Sequence, residues 1–152
     1  MEYIDKETIV NFGKEMSVFL HKYSFALSKQ DISKYSFRYA YRNKDMYILL
    51  KGSFHPYDYP PYLNIIAGKG EDGFPECDIN SAPLWMIIRY LTNSHYAKEY
   101  DLNLISKSDF FERIKSDMKC YLQSFLNGDF EMIEKARKWY ANELDLDNIG
   151  DK

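Results

Sequence analysis

Apolar residues recur at steps of three and four near the start of the chain: Ile9, Phe12, Met16, Phe19 and Tyr23. The spacing predicts an amphipathic helix whose wet side carries Lys14, Glu15 and Lys22. Asp5 is placed to cap it, and Glu7 adds negative charge at the positive end of the helix dipole. Gly13 falls inside this helix. Glycine there costs about 1 kcal/mol relative to alanine, so its presence predicts the close approach of another element.

The period changes at Ser24. "SFALS" alternates weakly and reads either as a short strand or as the frayed end of the helix. "KYSFRYAYR" alternates strictly, with Tyr35, Phe37, Tyr39 and Tyr41 on one face and Ser36, Arg38, Ala40 and Arg42 on the other. A turn at Asn43-Lys44 leads into a second strand, "DMYILLKGSF", pairing Tyr41 with Met46, Tyr39 with Ile48, Phe37 with Leu50 and Arg42 with Asp45. Cross-strand aromatic–aliphatic pairs contribute roughly 0.2–1 kcal/mol each, which favours this register. "YLNIIAGKG" is a third strand, with Leu63, Ile65 and Ala67 on one side. Strands in succession with short connections predict an antiparallel meander. The four rings line the underside of a helix, and Arg38, Arg42 and Lys51 form the wet face of the sheet.

Beyond the Gly-, Pro- and acid-rich loop "GKGEDGFPECDINSAP" the pattern is helical. Ser81 is placed to cap "APLWMIIRYLT", where Leu84, Trp85, Ile87, Ile88 and Leu91 wrap more than half the circumference and predict deep burial. "SHYAKEYDLNL" reads as a connector. Asp109 and Glu112 have capping-box spacing before "FFERIKSDMKCYLQSFL", and Asn127-Gly128 ends that helix. Asp129 starts a last one, "FEMIEKARKWYANEL", with Phe130, Ile133, Ala136, Trp139 and Tyr140 facing inward. The expected fold class is α+β: a single domain over residues 1–146, an N-terminal helix, a meander of three to four strands and three C-terminal helices on the sheet, with 147–152 a frayed tail.

Composition narrows the functional classes. The chain has 152 residues, a net charge of −3 and a 17% aromatic content dominated by fourteen Tyr and ten Phe. Interspersed charge without a basic footprint disfavours nucleic acid and suits a basic partner. "KYSFRYAYRN" is superficially like the central strand of an RNA-recognition sheet, but Tyr35 stands where that motif has glycine. No run of eighteen apolar residues is present, and the start "MEYIDKETIVNF" lacks a signal-peptide pattern, so a cytoplasmic location with Cys77 and Cys120 as free thiols is expected. The Lys, Ile, Asn and Tyr content points to an AT-rich, bacterial genome.

No catalytic motif is found: no nucleophile elbow, no phosphate loop and no dinucleotide fingerprint. His21, His55 and His95 have no metal-ligand spacing to one another or to a cysteine, so neither a metal nor a cofactor is expected. The stretch "HPYDYPPY" is the candidate contact surface. Pro60-Pro61 stiffens it, which predicts first a rigid loop at a sheet edge and second an anchor site using His55, Tyr57, Asp58 and Tyr59. The acidic loop residues Glu71, Asp72, Glu76 and Asp78 are the further candidates for meeting a basic protein. A rival reading is a small-molecule or peptide pocket between sheet and helices, lined by Tyr39 and Trp85. In size, mild acidity and aromatic richness the chain resembles the immunity proteins that neutralise toxins. That resemblance implies a basic toxin domain as partner.

Overall fold

The computed structural model describes residues 4–58, 60–70 and 80–150, the last six of these by backbone alone. Helix α1 (Lys6–His21) opens where Asp5 accepts a hydrogen bond from the Thr8 amide at 2.8 Å, as the sequence predicts. Strands β1 (Ala26–Ile32), β2 (Ser36–Asn43), β3 (Met46–Ser53) and β4 (Tyr62–Lys69) follow as an antiparallel meander in sequence order. Two short strands complete the sheet, β5 (Ser81–Pro83) and β6 (Tyr100–Asp101), both paired with β4. Helices α2 (Leu84–Thr92), α3 (Phe110–Tyr121), α4 (Gln123–Leu126) and α5 (Glu131–Gly150) make up the second half. The protein is thus an α+β domain with its helices against one sheet face.

The core lies between that face and the helices. Phe37, Tyr39 and Tyr41 are buried, with Tyr35 partly so, beneath Ile9, Phe12, Met16, Phe19 and Leu20 of α1. The tyrosines satisfy their hydroxyls on the helix main chain. Tyr39 donates to the Ile9 carbonyl and Tyr41 to the Gly13 carbonyl, each at 3.0 Å. Gly13 makes this possible, because a Cβ there would fall 2.6 Å from the Tyr39 ring. The same device recurs inside the sheet: the Phe37 ring lies over its cross-strand partner Gly52, and the Tyr47 ring over its partner Gly68.

Of the two readings of "SFALS", the strand holds from Ala26, where β1 starts and runs on to Ile32 with a bulge between Leu27 and Lys29. Several other expectations are corrected. The hairpin turn is Lys44-Asp45, one residue later than Asn43-Lys44, so Asn43 pairs with Met46, Tyr41 with Ile48, Tyr39 with Leu50 and Phe37 with Gly52. Arg42 therefore faces Tyr47 and not Asp45. Moving a two-residue turn by one position shifts partners by two, which leaves every side chain on its predicted face. Lys44 takes the left-handed conformation that the turn needs (φ 57°).

The far face of the sheet is not simply polar. Ala40, Tyr47, Leu49 and Ile66 form a second buried cluster there, and Arg38, Arg42 and Lys51 are partly buried around it. The run "MYILL" is apolar on both faces because β3 is the centre of the meander. Ser81 does not cap α2: it pairs with Gly68 in β5, and the helix starts after Pro83 without a side-chain cap. In α2 Leu84 and Ile87 are buried, whereas Leu91 is exposed at 46%, so the helix is half-buried and not enclosed.

The capping box before α3 does not form either, since Asp109 makes no side-chain cap bond and Glu112 pairs with Lys115 at 2.9 Å. Asp109 itself has helical dihedrals (φ −95°, ψ −3°), which turns its carboxylate away from the geometry an N-cap requires. The predicted long helix breaks at Leu122 into α3 and α4, and Gly128 (φ 103°) closes the second piece. Asp129 accepts from the Glu131 amide at 2.9 Å and starts α5, which buries Ile133 and Ala136 and runs to Gly150 instead of ending at Leu144. Residues 145–149 contain neither proline nor glycine to stop it.

Gly13→Ala is expected to destabilise the fold by about 1–3 kcal/mol in urea unfolding, overpacking against Tyr39 outweighing the helix-propensity gain. Burial pushes the Tyr41 phenol up to about 12. Its folded-state value lies above the unfolded one, so its stabilisation is complete below the ordinary tyrosine range and is lost as pH climbs from about 10 through the folded value. Stability measured across that window should fall, and Tyr41→Phe should flatten the fall.

Candidate functional site

The β3–β4 loop carries the predicted contact residues. Tyr35, immediately before β2, packs edge-on against the His55 ring with centroids 4.9 Å apart, and His55 stacks on Tyr57 at 5.1 Å. The His55 Nδ1 accepts from the Tyr57 amide at 3.1 Å, and the His55 carbonyl accepts from the Asp58 amide at 2.8 Å. The Asp58 carboxylate accepts from the Ser53 hydroxyl at 2.7 Å, tying the loop to the last residue of β3. These bonds form a closed turn over His55–Asp58 whose outermost ring, Tyr57, is 92% exposed. Pro56 and Pro60 lie exposed beside it, and Pro61 is buried where the chain re-enters the sheet.

The sequence assigned "SHYAKEYDLNL" to a plain connector, and here the structure adds residues. Part of that segment pairs with β4 through Tyr62–Asp101 and Leu63–Tyr100. It thereby lies alongside the proline loop. A cleft of about 490 Å³ separates the two, walled by Asp58, Pro60, Pro61 and Tyr62 on one side and by Lys98–Asp101 on the other. A second cleft, of about 350 Å³, lies between the same strand and α3, lined among others by Tyr100, Phe110, Arg113, Asp117 and Tyr121. Tyr100 lines both. Its hydroxyl donates to the Asp117 carboxylate at 2.6 Å, and burial followed by that bond raises its pKa far above the ordinary tyrosine value. Tyr96, in the same connector, is 92% exposed. Aromatic residues alternating with charge, as in "HYAKEYD", were the available signal.

The other predicted residues are distributed differently. Tyr59, Glu71, Asp72, Glu76, Asp78 and Cys77 lie outside the described residues. Cys120 is exposed and free. Tyr39 is held under α1, whereas Trp85 packs edge-on against Tyr140 with the Arg89 guanidinium 4.6 Å from its centroid; neither lines the clefts just described. Phe37, Tyr39 and Tyr41 are enclosed and offer no platform for stacking bases. His95 stacks on Trp139 and lies 3.6 Å from Glu143. Among the described residues no group of three or more His, Cys, Asp or Glu side chains is disposed to hold a metal, and no helix is long and apolar enough to cross a membrane.

What the arrangement can do chemically is present a stiff aromatic projection beside an open cleft of prolines and tyrosines that carries three carboxylates and one lysine. No family model matches the chain, and neither a curated protein nor a solved structure matches it.

Ser53 is buried and its partner Asp58 is exposed, so Asp58 is rehydrated when the bond is lost and Ser53→Ala should cost about 0.5–1.5 kcal/mol of global stability. It should also speed hydrogen exchange at the Tyr57 and Asp58 amides severalfold, measurable by NMR.

Proposed function

We propose that this protein is a protein–protein interaction module and that the β3–β4 loop with the adjoining cleft is its contact surface. The observation that supports this reading most directly is Tyr57: a large ring left 92% exposed yet held on one side by the Tyr35–His55 stack. A side chain already ordered loses little entropy on binding, and tyrosine is among the residues that dominate interface energetics. Around the cleft Asp58, Glu99 and Asp101 are exposed beside Lys98. That balance suits a basic partner approached by electrostatic steering. A bacterial immunity protein acting in the cytoplasm against a basic toxin domain is the specific form of this reading.

The test is retention of a partner from extract of the native host on immobilised protein. Tyr57→Ala should lower retention at least about tenfold, as expected of an aromatic anchor, without altering thermal unfolding. Raising the salt concentration should slow association. Equal retention by the folded variant would remove the loop from the interface.

A further inference from the structure

Strand β1 stands at the edge of the sheet: among the described residues β2 is its one neighbouring strand. Six of its seven residues are exposed, including Leu27 at 44%. It contains no proline. The direction of its main-chain groups follows from one bond. The Ser33 amide donates to the Ser36 carbonyl at 2.8 Å, so Asp31 and Lys29, two and four residues earlier in the same register, also turn their main chain toward β2. Gln30 and Ile32 therefore turn theirs outward, away from the sheet.

A lysine in an edge strand ordinarily guards against pairing, and the bulge at Ser28 shortens the length available. Both facts restrict which strand could dock, and they favour one. In an antiparallel self-pairing centred on Lys29, the two lysines would lie opposite each other; centred on Asp31, the two aspartates would. Centred on Gln30, Lys29 of each copy faces Asp31 of the other, and the outward main-chain groups of the two Gln30 residues meet. The side chains agree with this choice. Lys29 and Asp31 lie opposite Ala40 and Arg38, on the far face of the sheet, and residues opposite each other across an antiparallel pair point to one face. Gln30 lies opposite Tyr39, on the helix-bearing face, where two amides can each donate and accept.

From this self-complementarity we propose that β1 binds β1 of a second copy of the chain, antiparallel about a two-fold axis at Gln30, joining two sheets into one. The interface is isologous, so it closes at two copies and does not propagate. It is independent of the aromatic loop, because no residue of that loop takes part.

Sedimentation equilibrium across micromolar to submillimolar concentration tests the proposal. The native chain should show a monomer–dimer equilibrium. Lys29→Asp and Asp31→Lys, each alone, place two like-charged pairs in the interface and should weaken dimerisation about tenfold or more. Mixed together, the two variant chains regain two opposite-charge pairs and should associate with each other. Gln30→Pro removes an amide that faces away from β2 and should abolish the dimer while leaving the intramolecular ladder intact. The charge variants change exposed side chains alone and decide the matter even where Gln30→Pro fails to fold. A native chain monomeric throughout overturns the proposal, as does a dimer that survives both single charge changes unaltered. Tyr57→Ala should leave the dimer unchanged, which separates this inference from the reading of the loop.

Discussion

The fold depends on the seam between α1 and β2. Two tyrosines that would be costly to bury unpaired direct their hydroxyls to helix carbonyls at Ile9 and Gly13. The Ser17 hydroxyl also donates to the Gly13 carbonyl, at 2.9 Å, and lies 3.3 Å from the Tyr41 oxygen. A seam made of apolar contact alone would allow the helix to slide along the sheet. One with two hydrogen bonds a helical turn apart fixes translation and rotation together. With α1 fixed, Phe12 is positioned to meet Phe37 on the sheet and Phe110 and Phe111 on α3, so the C-terminal helices dock against a surface already defined.

The proposed contact region follows from the same frame. Tyr35 immediately precedes the strand whose rings support α1, and its own ring supports His55 and, through it, Tyr57. The rigid interior and the exposed projection are thus ends of one aromatic row. The cleft beside it exists because β6 adds to β4 for two residues, enough to bring the connector alongside the prolines without closing the gap.

Much of the architecture was legible in the sequence because side-chain periodicity reports face, and face survives small errors of register. The inward placement of Phe37, Tyr39 and Tyr41 followed directly, although the hairpin turn lies one residue later than the pattern suggested. The close approach at Gly13 was also legible, since a glycine mid-helix needs a reason. What was not legible depended on partners distant in sequence. Ser81 has the chemistry of a cap but is recruited to β5 by Gly68, and Asp109 has capping-box spacing but helical dihedrals. The loop could be read as a candidate from Tyr57 and its prolines, whereas Tyr100 and Asp117 could not be joined, because they lie seventeen positions apart and no local pattern records their meeting.

The rings lying over Gly52 and Gly68 carry a consequence for how this chain can change over time. In each pair the missing side chain of one strand is the seat of a ring on the next, so volume is shared across the ladder. Neither member can drift alone. A larger residue at position 52 is tolerable where Phe37 has become small, and the same holds for position 68 and Tyr47, so these sites are bound to one another through intermediates that leave a void and not a clash.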